Sequence, residues 1–145
     1  VVFYKIKKIQ KMENEQTTGV NNKKKKILII EDDSTINNMY KTGLTNDGYE
    51  VVTAKDGQEG LELATSTKPD IILLDIIMPK IDGFAVLGRL KENPVTKDIP
   101  VFLLTNLGQD EDKERGKKLG AVDYVVKADF TPMQVSEKIK KYLNK

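Results

Sequence analysis

Three runs of uninterrupted apolar residues, Ile27 to Ile30, Ile71 to Leu74 and Val101 to Leu104, each end on a polar residue: Glu31, Asp75 and Thr105. A strand wetted on one face alternates apolar and polar side chains, so runs without alternation imply strands covered on both faces, as at the centre of a parallel sheet. Two weaker runs, Glu50 to Thr53 and Val122 to Val126, fit positions nearer the edges. Helical spacing fills the gaps: Ile36, Met39, Tyr40 and Leu44; Leu61 and Ala64 after Gly57; Phe84, Leu87 and Leu90; Val135, Ile139, Tyr142 and Leu143. The stretch from Gln109 to Leu119 is far more polar and predicts a shallowly packed helix. Five strands alternating with five helices predict an α/β fold with a parallel sheet.

The breakers agree. Asp56 and Gly57 turn the second strand into a helix, Pro69 stops a helix before the third strand, Gly83 opens a helix, and Pro100 precedes the fourth strand. Gly120 suits a helix C-terminal cap after Leu119, and Thr131 followed by Pro132 suits an N-cap with proline at the first helical position. Asp33 or Ser34 is expected to cap the first helix.

A chain of 145 residues, 39% hydrophobic, can fill one two-sided core and no second one. It has neither cysteine nor histidine, which excludes disulfides, thiolate metal sites, imidazole ligands and imidazole general bases. Its apolar runs fall far short of the roughly 20 residues that cross a bilayer, and no signal-peptide pattern is present, so stable membrane insertion is not expected and cytoplasmic residence is. The net charge of +2 divides unevenly: residues 1–26 carry eight lysines against two glutamates, leaving the body acidic. The basic character therefore sits in a segment outside the periodic pattern, and direct nucleic-acid binding by the body is not expected. Residues 1–24 read as a basic linker or tail and residues 25–145 as one domain. Phe3, Ile6 and Ile9 among lysines fit a short amphipathic helix within that tail, read as a linker or the end of an upstream helix in preference to a membrane or partner anchor. A chain opening on Val1 is expected to be a fragment.

In an open parallel sheet the chemistry lies at the carboxyl ends of the strands. There this sequence puts Glu31, Asp32, Asp75, Thr105 and, ending the fifth strand, Lys127. If the first and third strands are neighbours, three carboxylates converge and repel one another unless a proton or cation compensates. Oxygen ligands alone select a hard cation, and Mg²⁺ is the natural choice. A carboxylate, a hydroxyl, an ammonium and a hard cation around one small space can hold a tetrahedral dianion, which reads as phosphoryl transfer onto a carboxylate. No glycine-rich nucleotide loop is present, so the donor is expected to be another protein or a small phosphate.

These residues in combination resemble the receiver domain of two-component response regulators, close to the chemotaxis-regulator type. The resemblance rests on the Glu31–Asp32 pair, the segment from Asp75 through Met78, Pro79, Asp82 and Gly83, then Thr105, and Lys127 after Ala121 to Tyr124. The gaps of 43, 30 and 22 residues from Asp32 to Asp75, Thr105 and Lys127 also fit. It implies a flavodoxin-like, doubly wound five-stranded parallel sheet of order 2-1-3-4-5 in three α/β/α layers. It implies that Asp75 accepts a phosphoryl group from a sensor histidine kinase or phosphotransfer protein, with Lys127 and Thr105 assisting. Mg²⁺ would be held by Asp32, Asp75 and the Ile77 carbonyl, with Glu31 acting mainly through water. Thr105 and Tyr124 would form a switch couple that repacks the face of the last two helices and the strand between them, where a downstream protein or a second copy docks. Met78, Pro79, Asp82 and Gly83 would shape the loop after Asp75. The module would phosphorylate and dephosphorylate itself without turning over a separate substrate.

Two positions depart from the family pattern. Ala128 replaces the usual proline after the lysine, and a cis bond there would cost about 2.5–4 kcal/mol, so a trans bond is expected. Asn106 replaces the usual small residue after Thr105, bordering the entrance for water or donor. Alternative readings are a constitutive protein-binding module that has lost the switch, the terminal receiver of a hybrid histidine kinase, and, less well supported, a hydrolase of free phosphoesters.

Overall fold

The apolar runs are strands, and the segments between them are helices. The computed structural model describes residues 23–106 and 109–144; the amphipathic pattern of residues 1–12 lies outside them. Five strands, β1 (Lys26–Ile30), β2 (Glu50–Ala54), β3 (Ile71–Asp75), β4 (Val101–Thr105) and β5 (Asp123–Val126), form one parallel sheet in the order β2-β1-β3-β4-β5. The helices are α1 (Ser34–Asn46), α2 (Gly57–Thr67), α3 (Gly83–Glu92), α4 (Asp110–Lys118) and α5 (Pro132–Leu143). Every residue of β3 and β4 is buried, whereas β2 and β5 are half-exposed. The weaker apolar runs thus mark the two edges.

The two-residue period of the strands divides the core in two. Leu28, Ile30, Ile72, Leu74 and Leu103 pack with Ala64 of α2 and with Phe84, Leu87 and Leu90 of α3. Ile27, Ile29, Ile71, Leu73, Phe102 and Val125 pack on the opposite face with Tyr40 and Leu44 of α1 and Val135 and Ile139 of α5. Continuing the alternation, Glu31 and Asp75 belong to the α1/α5 side. Thr105 and Tyr124 belong to the α2/α3 side.

Short polar side chains start the helices. Asp33, Asp56 and Asp82 accept hydrogen bonds from the backbone of Ile36, Glu59 and Ala85 at 3.0, 2.8 and 2.9 Å. Thr131 and Gln134 form a reciprocal capping box at the start of α5, with Pro132 at its first position. α4 buries only Gly116 and ends on Gly120 at φ 103°, where Gly120 N–H donates to Lys117 O and Ala121 N–H to Gly116 O. This paired closure uses the left-handed conformation that glycine adopts without steric cost.

Two details depart from the sequence expectation. Met39 is 45% exposed, while Asn37 lies in the buried stripe of α1 with Tyr40 and Leu44. The Asn37 side chain donates to the carbonyls of Glu31 at 2.9 Å and Ala54 at 3.3 Å, joining the ends of β1 and β2, a task that needs an amide and outweighs hydrophobicity. Lys127 does not end the fifth strand but opens a short 3-10 turn, Lys127–Asp129, one residue beyond it. The Lys127–Ala128 bond is trans, as expected.

Asp47, just past α1, accepts from the Ser136 hydroxyl and pairs with Lys140 Nζ at 3.0 Å. These contacts, Ser136 foremost, lower its pKa. A carboxyl depressed in the folded state stabilises the fold above its unfolded pKa of about 3.9, and that contribution is lost as pH falls through the folded value. Asp47→Asn is therefore expected to lower the melting temperature at pH 7, with the two proteins converging in strong acid. Equal melting curves at pH 7 would count against it.

Candidate functional site

The carboxyl edge of the sheet gathers the acids because β1 and β3 are neighbours, with Ile30 aligned to Leu74, so the next residues, Glu31 and Asp75, stand abreast. The two carboxyl residues are only 1% and 4% exposed, whereas Asp32 faces solvent. One carboxylate oxygen from each of the three lies within 4.8 Å of the others. Lys127 reaches across from the end of β5 and sets its ammonium 2.6 Å from Glu31 Oε1 and 3.2 Å from Asp75 Oδ2. Asp75 Oδ1 accepts from the Ile77 backbone N–H at 3.2 Å.

Lys127 is what makes this burial tolerable. Removing the partner of a buried charge costs about 3–5 kcal/mol, and here one ammonium serves two carboxylates. It does not neutralise both. Burial and the neighbouring Asp75 push the Glu31 pKa up to about 8, against the opposing pull of Lys127. At neutral pH the buried carboxyls therefore retain a proton, and a cation can take that proton's place. The donors are all hard oxygens, one from each of three carboxyl groups. This acidic group can hold a hard divalent cation of the Mg²⁺ kind.

The acids floor a small open cleft of about 220 Å³, which Ile77, Asn106 and Ile36 also line. Asn106, exposed, stands at its rim. The Ile77 side chain is 59% exposed. The loop after Asp75 turns back sharply: Gly83 N–H donates to Ile76 O at 2.7 Å, Ile81 N–H to Pro79 O at 2.8 Å, and Lys80 takes a φ of 69°. Met78 is buried beneath this loop, in the α2/α3 core.

Thr105 ends β4 and is buried, but its side of the sheet is that of Tyr124 rather than of the acids. Burial pushes the pKa of the Tyr124 hydroxyl up, against the opposing pull of a hydrogen bond with Thr105. Lys113 of α4 lies 5.6 Å from the centre of the Tyr124 ring. Thr105 and Tyr124 therefore form a pair behind the cleft. Sequence reasoning missed Asn37 and the burial of the Tyr40 hydroxyl; the only signal was a polar residue in phase with the apolar stripe of α1.

A family model, the response regulator receiver domain, matches residues 27–140. The DNA-binding dual master transcriptional regulator RpaA of Synechocystis sp. is 44% identical over 107 residues, 74% of this chain and 43% of that protein. The alkaline phosphatase synthesis transcriptional regulatory protein PhoP of Bacillus subtilis is 38% identical over 115 residues, 79% of this chain and 47% of that protein. The chain spans less than half the length of these curated relatives. Among solved structures, the chemotaxis protein CheY4 of Vibrio cholerae superposes with a TM-score of 0.77 at 32% identity, covering 81% of this chain and 98% of that one. A CheY-like response regulator receiver domain protein of Methanospirillum hungatei gives 0.77 at 29% identity, covering 83% and 94%. Among the described residues no helix is long and apolar enough to cross a membrane.

Proposed function

The chain belongs to the response regulator receiver domain family, and on that footing we propose that Asp75 is its phosphoryl acceptor and the α4-β5-α5 face its output. The observation that carries this is the Asp75 carboxylate, buried at the end of β3, 3.2 Å from the Lys127 ammonium and grouped with two further acids. An Asp75 oxygen attacks the phosphorus of a phosphohistidine on a sensor kinase or phosphotransfer protein. The new O–P bond forms as the N–P bond breaks, and the imidazole leaves with the nitrogen's electron pair. Asp32, Asp75 and the Ile77 carbonyl would hold Mg²⁺, with Glu31 beside them; when bound, the ion offsets charge on the phosphoryl oxygens. Lys127 pairs with the carboxylate before transfer and with a phosphoryl oxygen after it, so the added charge never stands unpaired in the buried site.

Thr105 carries the signal outward. Its hydroxyl turns to the new oxygens and leaves Tyr124, whose ring then repacks against α4. On that side Lys113, Lys117, Val122 and Tyr124 line a cleft of about 300 Å³ between α4 and β5, which supports this face as the docking surface for a downstream protein or a second copy.

Incubation with Mg²⁺ and acetyl phosphate is expected to add one phosphoryl group, seen by intact mass. The adduct is a mixed anhydride, so base and hydroxylamine should remove it. No adduct with several donors would leave the constitutive binding module as the better reading.

A further inference from the structure

Behind the acidic cleft, three buried polar atoms have no hydrogen-bond partner: Glu31 Oε2, Asn37 Oδ1 and the Tyr40 hydroxyl. Their residues are 1%, 8% and 0% exposed. A buried polar atom without a partner forfeits the hydrogen bond that water gives it in the unfolded chain, so three in one region call for a common partner. They do share a region. Glu31 projects to the α1/α5 side, its carbonyl takes a 2.9 Å hydrogen bond from Asn37, and Tyr40 lies one helical turn further along the same face of α1. Tyr40 also feels the charge of Glu31, which adds to burial in raising the pKa of its hydroxyl.

The orientation of Asn37 is not open to reversal. Its amide nitrogen faces two carbonyl oxygens, of Glu31 and Ala54, and a flipped amide would set oxygen against oxygen. Asn37 Oδ1 is therefore the acceptor left over. With Glu31 ionised, as a cation in the cleft would hold it, the three orphans make a complementary set: two are acceptors and one is a hydroxyl able to donate. A water molecule accepts one hydrogen bond and donates two, and buried waters typically make about three.

We infer that one ordered water sits behind the cleft, accepting from the Tyr40 hydroxyl and donating to Asn37 Oδ1 and Glu31 Oε2, and that Tyr40 is through it a positioning residue for Glu31. Lys127 then holds one Glu31 oxygen and the water the other, so the carboxylate cannot rotate. Partners behind a metal site typically govern its affinity by about 10- to 100-fold. The water stands on the orphaned atoms alone. Its consequence for Mg²⁺ rests on the proposed reading of the acidic group.

The test combines diffraction from crystals of the full chain, at a resolution that shows ordered water, with Mg²⁺ titrations of the parent, Tyr40→Phe and Tyr40→Leu. A density peak within hydrogen-bond reach of all three atoms is expected. Both variants should bind Mg²⁺ about tenfold more weakly, at the low end of that range because the water keeps its other two partners. A purely structural hydroxyl would shift the denaturation midpoint and leave Mg²⁺ affinity alone. The inference is overturned if the peak is missing, if it does not touch Tyr40, or if Tyr40→Phe binds Mg²⁺ as tightly as the parent. A parent protein that binds no Mg²⁺ would instead sink the proposed function, and the density would still decide the water.

Discussion

A protein carrying Asp75→Asn is expected to keep its fold and to take up no detectable phosphoryl group from acetyl phosphate in Mg²⁺. The substitution exchanges one carboxylate oxygen for an amide nitrogen at nearly constant volume, so the buried end of β3 need not move. What disappears is the nucleophile: a neutral amide oxygen is a poor one, and no other carboxylate of the site stands in its place. Asp32 is exposed in the loop beyond β1, and Glu31 is held by Lys127 at 2.6 Å. Stability should change little. Losing a charged hydrogen bond of about 1.5–3 kcal/mol is offset because Glu31 no longer repels a neighbouring carboxylate. Intact mass and thermal melting decide both halves. An adduct that survives Asp75→Asn would place the acceptor on another residue, and a collapsed fold would mean that Asp75 is structural.

Gly83→Ala is expected to destabilise the protein by about 3 kcal/mol, lowering its melting temperature by roughly 10 °C. A Cβ at Gly83 would lie 2.2 Å from the Asp75 carbonyl oxygen and 2.6 Å from Ile76 Cα. Both are backbone atoms at the end of a fully buried strand, so no side chain can swing aside. The helix must lift from the sheet, or Asp75 must move. Gly88, in the same helix, supplies the control, because its Cβ would meet nothing within 4 Å. There alanine should be neutral or stabilising by up to about 1 kcal/mol through helix propensity. Equal losses at the two positions would show that helix propensity, rather than contact with the nucleophile's strand, governs the effect. Phosphoryl uptake by Gly83→Ala should also fall, since the contact atom is Asp75's own carbonyl.

The strands could be read because a strand buried on both faces has no freedom to include polar residues, and the weaker runs at Glu50 to Thr53 and Val122 to Val126 named the edges for the same reason. The acids could be read because chain direction alone puts Glu31, Asp32 and Asp75 at carboxyl ends. Helix α1 was read less well. Its spacing pointed to Met39 as core, yet the stripe that meets the sheet runs through Asn37, Tyr40 and Leu44. Sequence hydrophobicity cannot register that the carbonyls at the ends of β1 and β2 need a donor between them, because those carbonyls come from strands brought side by side only by folding.

By itself, then, the sequence determined the order of the elements, which strands lie at the centre, and which chemical groups stand at their ends. These follow from side-chain periodicity and backbone preference, which act over a few residues. The tertiary structure alone decided how those groups share one another. Lys127 divides its ammonium between Glu31, 96 positions away, and Asp75, while Thr105 turns to the opposite face with Tyr124. Ion pairing and hydrogen bonding depend on ångström distances and on the local dielectric, and both are set by strand register and helix packing rather than by separation along the chain.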